Sequence, residues 1–154
     1  ILREINTGIY AFNNQSLFEG LKHLNNNNAQ NEYYLTDLVE ILKKLGKKVV
    51  AIPCDDWQEV QGINGNVELA HAAKYMQERI NTEWMKKGVT IYDPNTTYIG
   101  PNVTFGTDVI IHPNTYLYGD VAVEDYAEIL PGTWLEDTNV SKAETVGPFV
   151  RRKG

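Results

Sequence analysis

Asn6 opens an Asn6-Thr7-Gly8 run and Asn64 stands directly before Gly65, and these amides are the first side chains to weigh. An asparagine amide both donates and accepts hydrogen bonds, but Asn ahead of Gly is also a turn former, and read alone both positions are turns. Tyr34 and Thr36 lie in Glu32-Tyr33-Tyr34-Leu35-Thr36-Asp37, where Thr36 is equally suited to cap a helix. Cys54 precedes Asp55-Asp56 with no paired histidine, so no activated thiol is expected. His112 follows Ile111 at a corner of the repeat described below, where an exposed structural role is expected rather than acid–base work. Arg151-Arg152-Lys153 reads as a solvated basic terminus.

These groups need elements to hold them. The 154 residues are 42% hydrophobic and 22% charged, with a net charge of −6, which suits one ordinary domain or two small pieces and excludes wholesale disorder. No apolar run reaches the length of a membrane-spanning helix. The opening Ile1-Leu2-Arg3-Glu4 has neither an initiator Met nor the layout of a signal peptide and reads as a chain joined in mid-domain. A single cysteine forbids an internal disulfide and suits a reducing cytosol. Residues 1–88 carry ten Lys/Arg against eleven Asp/Glu, whereas residues 89–150 carry one against nine. So acidic a stretch repels phosphate backbones, and nucleic-acid binding through this half is not expected.

The first third reads as the end of an α/β domain. Gly8-Ile9-Tyr10-Ala11-Phe12 and Lys47-Lys48-Val49-Val50-Ala51-Ile52-Pro53 predict buried strands. Between them, Ser16 is placed to cap a helix carrying Leu17, Phe18, Leu21 and Leu24, and Thr36-Asp37 to cap a second carrying Leu38, Ile41, Leu42 and Leu45. From Asn66 a stripe of Leu69, Ala73, Met76, Ile80 and Trp84 predicts a long helix, closed by Gly88, whose stripe is packing surface.

After Gly88 the apolar period becomes six. Ile99, Phe105, Ile111, Leu117, Val123, Ile129 and Leu135 recur without a gap, and four residues after each of the first six stand Val103, Val109, Thr115, Val121, Ala127 and Thr133. An antiparallel meander predicts a period of two broken by turns, which this pattern does not fit. Period six predicts a hexapeptide β-helix, in which each unit lays down a short strand and a corner and points its bulky residue at a shared axis. At three units per turn, the repeats give between about three and four turns. The phase slips after Leu135, since Val140 and Val146 follow at five and six, and a bulge or small loop is expected near Asp137-Thr138-Asn139.

Glu4-Ile5-Asn6-Thr7-Gly8-Ile9, the run from Asn26 to Asp37, and Val60-Gln61-Gly62-Ile63-Asn64 together resemble the bacterial bifunctional N-acetylglucosamine-1-phosphate uridylyltransferase / glucosamine-1-phosphate N-acetyltransferase family, with the long helix and hexapeptide repeats in that family's order. The resemblance implies three segments. They are the C-terminal part of a Rossmann-like nucleotidyltransferase domain (1–65), a linker helix (66–88), and the first turns of a left-handed parallel β-helix that trimerises (89–154). It implies a cytoplasmic enzyme that acetylates glucosamine-1-phosphate with acetyl-CoA, then couples N-acetylglucosamine-1-phosphate to UTP with Mg²⁺, making UDP-N-acetylglucosamine for cell-wall precursors. Asn6 then stands at the family's sugar-nucleotide Asn, where its amide suits sugar hydroxyls, and Asn64 at its metal-binding Asn, whose neutral oxygen suits Mg²⁺. Tyr34 and Thr36, with Glu32, fall in the stretch that lines the N-acetylsugar pocket. The family's Gly-rich nucleotide loop, the Asp that shares Mg²⁺ with Asn64, and the acetyltransferase histidine are not matched here, and Lys153 stands where the family has a sugar-phosphate Arg. The chain alone is therefore expected to be inactive in both reactions, with no catalytic residue of its own. A non-catalytic trimerisation module and the tail of another sugar-1-phosphate nucleotidyltransferase are the alternatives.

Overall fold

The computed structural model describes residues 4–154; of the opening segment, Ile1-Leu2-Arg3 lies outside the described residues. The chain divides into two units, residues 1–62 and 63–154.

In the first unit, α1 spans Asn14–Leu21 and α2 spans Asp37–Lys44. The cap of α1 is Asn13 rather than Ser16. Asn13 is extended, and its side-chain oxygen accepts the Ser16 backbone N–H at 3.1 Å, so the helix starts three residues before the position expected with Ser16 as the cap. α2 does begin after Thr36, but that residue already has helical dihedrals and its hydroxyl makes no capping bond. Asp37 and Glu40 in the first turn and Lys43 and Lys44 in the last complement the helix dipole instead. Leu38 and Leu42 are buried against α1, where Gly20 permits the approach: a Cβ there would lie 3.0 Å from Leu38 Cδ2.

Neither predicted strand of this unit forms. Residues 8–12 and 47–53 lie outside any ladder, and Ile9, Val50 and Ile52 are 69%, 63% and 87% exposed. A strand exists only when a neighbour takes up its N–H and C=O groups, and among the described residues no neighbour is in place. The apolar runs have the composition of strands, yet a sheet is a property of several strands together.

In the second unit, α3 (Asn66–Lys86) ends at Gly88, whose φ of 101° a side chain would resist. Eleven short strands follow. They are β1 (Thr90–Ile91), β2 (Thr97–Ile99), β3 (Thr104–Phe105), β4 (Ile110–Ile111), β5 (Thr115–Tyr118), β6 (Ala122–Val123), β7 (Glu128–Ile129), β8 (Trp134–Glu136), β9 (Asn139–Val140), β10 (Thr145–Val146) and β11 (Arg151–Lys153). They form three parallel sheets in the orders β1-β4-β7-β10, β11-β8-β5-β2 and β3-β6-β9. Each strand thus pairs with the one three places along, and the chain coils as a three-sided parallel β-solenoid. Thr97 faces Thr115, Ile110 faces Glu128 and Thr104 faces Ala122, 18 residues apart in each case, as three hexapeptides per turn require.

Its axis is apolar. Ile99, Ile111, Leu117, Val123, Ile129 and Leu135 are all buried, and so are Val103, Val109, Thr115, Val121, Ala127 and Thr133, so every hexapeptide sends two residues inward. Thr97, Thr115 and Thr133 enter this core without an orphaned hydroxyl, because each Oγ1 donates to a corner carbonyl, of Asp93, His112 and Leu130 respectively, at 2.7–2.8 Å. Phe105 is only partly buried, since it lies at the start of the stack with its ring edge-on to Trp84, centroids 4.9 Å apart.

The phase slip is real but is a deletion, not a bulge. Val140 faces Val123 and Leu135 faces Arg152, 17 residues apart, so the corner after β8 is one residue short. Asp137 makes the tightened corner in the left-handed region, φ 50°.

The stripe predicted on α3 is half right. Ile80 and Trp84 pack on the solenoid core, but Leu69 and Met76 are about half exposed and Ala73 is exposed as well. The face that meets the solenoid is Gln77, Ile80, Asn81 and Trp84, the i, i+3, i+4, i+7 row one position round from the apolar stripe.

Late in the solenoid, Glu144 accepts from the Arg152 guanidinium and from the Ser141 backbone N–H, both at 2.8 Å, and these bonds hold its carboxyl below the ordinary carboxylate range. A depressed carboxylate contributes stability that is complete above its unfolded value near 4.5 and is lost as pH falls through its lower folded value. Glu144→Gln is therefore expected to flatten the acid limb of a thermal-midpoint-against-pH curve and to leave its slope above pH 6 unchanged.

Candidate functional site

In the first unit the Asn6 amide is engaged at both ends: its nitrogen donates to the Tyr10 hydroxyl, and its oxygen accepts the Gly8 N–H at 3.0 Å. That is the Asx turn the bare sequence suggests, with Gly8 at φ 75°. The residue is exposed, so its amide could exchange these local bonds for a ligand's hydroxyls. Tyr34 is half-buried, and its hydroxyl donates to Gln30 Oε1 at 3.1 Å. Around it, Asn28 ties the loop together, accepting the Gln30 and Glu32 N–H groups and donating to the Glu32 carbonyl at 2.6 Å. Thr36 is exposed on a shallow depression shared with Asp37, Val39, Glu40, Lys43 and Lys44. No hydrogen bond joins Asn6 to Tyr34 or Thr36 among the described residues.

Asn64 belongs to the second unit and is exposed in the segment leading to α3. Mg²⁺ takes near-octahedral oxygen ligands and is ordinarily anchored by at least one carboxylate. Among the described residues no group of three His, Cys, Asp or Glu is placed to hold a metal, and a single neutral amide does not make a Mg²⁺ site. The residues present therefore do not fit the ion by themselves, and no chemistry is routed through it.

On the solenoid, His112 is half-buried and not exposed. Its Nε2 lies 2.7 Å from Glu128 Oε1 on the next turn, and its ring packs edge-on against Tyr92. This is a tie between turns. The basic end is likewise more than a solvated terminus. Lys153 Nζ meets Glu136 Oε1 at 2.7 Å and Arg152 meets Glu144, while Arg151 lies with its guanidinium carbon 5.5 Å from the centre of the Trp134 ring. The bond to Glu136 raises the Lys153 ammonium above its ordinary value and lowers the Glu136 carboxyl.

Sequence reasoning passed over one column altogether. Tyr98, Tyr116 and Trp134 stack along the sheet of β2, β5 and β8, with centroids 5.1 and 5.2 Å apart. Arg151 continues the column, and Tyr118 leans on Trp134, its phenol pushed up by burial and then by its tyrosine neighbours. The 18-residue recurrence of 98, 116 and 134 was the available signal.

A coil of parallel hexapeptides around an axial apolar column, entered through a long helix, defines a protein of the hexapeptide-repeat β-solenoid class. No family model matches the chain. Its relatives narrow the class. It is 42% identical over 145 residues to a "Bifunctional protein GlmU" of Halalkalibacterium halodurans, 42% over 146 residues to that of Bacillus velezensis and 44% over 145 residues to that of a Geobacillus species. Each alignment takes in 94–95% of this chain and 32% of the relative, so the chain spans about a third of the length of the curated relatives it matches. The resemblance carried by the Asn-Thr-Gly, Asn-rich and Gln-Gly-Ile-Asn motifs is thus to proteins bearing that name, along nearly the whole chain.

Proposed function

We propose that this chain is the part of a bifunctional sugar-nucleotide transferase in which the end of a Rossmann-like nucleotidyltransferase domain passes through α3 into a left-handed β-helix. The parent is a transferase that acetylates glucosamine-1-phosphate from acetyl-CoA and then joins N-acetylglucosamine-1-phosphate to UTP. It works in the cytoplasm and assembles as a trimer through its solenoids. The observation that carries this reading is the order of the pieces: the motif-bearing loops, the long helix and the six-residue solenoid run in the family's sequence, at about 42% identity along the chain.

Within it, Asn6, Tyr34 and Thr36 are this chain's contributions to the sugar-nucleotide pocket. The exposed Asn6 amide releases the Tyr10 hydroxyl to hydrogen-bond sugar hydroxyls. Asn64 offers one neutral oxygen toward Mg²⁺, the carboxylate partner being supplied from elsewhere in the parent. Acid–base and nucleophilic groups for either transfer are not assigned to this chain, and phosphoryl transfer depends on positioning and charge neutralisation that four neutral side chains do not provide. Incubating the purified chain with UTP, N-acetylglucosamine-1-phosphate and Mg²⁺ should release no pyrophosphate above background. Steady turnover would contradict the reading of an incomplete pocket. A second reading, a non-catalytic trimerisation module, is favoured by the solenoid's self-contained core. Under either reading sedimentation should give a trimer, and a sharp monomer of 17.4 kDa would count against both.

A further inference from the structure

Asn64 is followed by Gly65, and no other asparagine in the sequence precedes a glycine. The pairing matters chemically, because the backbone nitrogen of the following residue can reach the asparagine side-chain carbon and close a five-membered ring. A side chain on that residue hinders the approach, and glycine has none. The structure leaves this pair free to react. Both residues are exposed and lie outside any helix or strand, with Gly65 extended at φ −163° and ψ −177° just ahead of α3. Among the described residues neither the Asn64 amide nor the Gly65 N–H has a hydrogen-bond partner. Elsewhere the amide is engaged or the neighbour is bulky. The Asn6 and Asn13 side chains hold the Gly8 and Ser16 N–H groups, and Asn102 donates to Asp120. Asn81, within α3, and Asn139, on β9, are followed by the β-branched Thr82 and Val140.

We propose that Asn64 is a site of spontaneous modification, at which the folded chain converts this asparagine to aspartate and isoaspartate. The Gly65 nitrogen loses its proton to solvent base and bonds to Asn64 Cγ, while the Cγ–Nδ2 bond breaks and ammonia leaves. The cyclic imide then takes up one water. Opening between the Gly65 nitrogen and Cγ gives aspartate. Opening between that nitrogen and the Asn64 main-chain carbonyl carbon gives isoaspartate, whose backbone runs through Cβ. Ring closure is intramolecular, so its rate follows how often the two atoms meet, and an exposed pair held by no hydrogen bond meets readily. Either product adds one negative charge to the formal −6, placed just before α3. That helix has no side-chain cap, so its first N–H groups are open to the new carboxylate and its dipole favours the charge. Conversion therefore leaves the fold intact, and the modified chain persists. The reaction needs only this pair of residues and holds whatever Asn64 contributes to the parent's pocket.

The experiment holds the folded full chain in mildly alkaline buffer and follows it by ion exchange and peptide mass mapping, with circular dichroism to register the fold. A more acidic form should grow with time, and its added charge should map to residue 64 before any other asparagine. Part of it should accept labelled methyl from S-adenosylmethionine through an isoaspartyl methyltransferase. Mildly acidic buffer should slow the growth, since the attacking nitrogen must lose its proton. Gly65→Ala should slow conversion at least about tenfold. A Cβ at that position meets only Glu68 Oε2, at 3.1 Å, the movable end of a side chain, so this variant is expected to fold. Should it not fold, Asn64→Gln decides, because its longer side chain closes a larger ring more slowly: loss of the acidic form supports the site, and undiminished growth refutes it. An Asn64 that stays intact in the folded chain while converting in urea overturns the proposal, as does earlier conversion at another asparagine or an equal rate in Gly65→Ala.

Discussion

Leu117→Ala is expected to lower the stability of the solenoid by about 3 kcal/mol, read as the loss in unfolding free energy by urea titration. Leu117 is fully buried on β5, paired with Ile99 on the turn before and Leu135 on the turn after. Deleting its branched end removes transfer energy and also leaves a cavity, because neighbours fixed by parallel ladders above and below cannot collapse into the gap. The same change at Leu69 of α3, about half exposed, removes much less buried surface and should cost under about 1 kcal/mol. The contrast is the useful part. Both residues look like apolar periodic positions in the sequence, and only the solenoid position is packed on all sides.

Gly106→Ala is expected to cost about 2 kcal/mol, measured in the same titration. Its backbone is close against the following turn: a Cβ would stand 2.4 Å from Asp125 Oδ1, which can swing away, but also 2.6 Å from the Asp125 backbone nitrogen and 3.0 Å from its Cα, which cannot. Relief of the two main-chain contacts requires prising two turns apart. That would stretch the bond from the Gly106 N–H to the Val123 carbonyl, now 2.8 Å, and the bond from the Thr107 N–H to Asp125 Oδ1, now 2.9 Å. Gly20 offers a contrast, since a Cβ there meets the flexible ends of Leu38 and Leu42 and no backbone.

Why the solenoid could be read and the two strands expected in the first unit could not follows from where the information sits. Each inward residue from Ile99 to Leu135 is dictated by its own hexapeptide, so the pattern repeats locally and survives as a period in the chain. Gly8–Phe12 and residues 47–53 have the composition of strands, but their pairing depends on partners remote in sequence, and composition names no partner. The long helix was legible in its extent and end, yet its docking face was not, because Gln77 and Asn81 are polar and a search for apolar stripes slides to Leu69 and Met76. The shortened corner after Leu135 showed as a lost phase, and only the register of Val123 with Val140 reveals it as a deletion. For the candidate site the sequence identified residue types that carry sugar and metal chemistry elsewhere. It could not tell that Asn6 spends its amide on Tyr10 and Gly8 in this chain, since an Asx turn and a ligand contact call for the same side chain.

Whether the sixth residues point to the axis is tested directly by thiol accessibility. With Cys54, which is exposed, replaced by Ser, single cysteines at Leu117, Ile129 and the exposed Thr104 are titrated with a small thiol reagent under native conditions. Cysteines at 117 and 129 should react at least about a thousandfold more slowly than the one at 104, at rates set by opening of the coil. Equal rates at all three positions would mean that these side chains face water, and the parallel coil would be wrong.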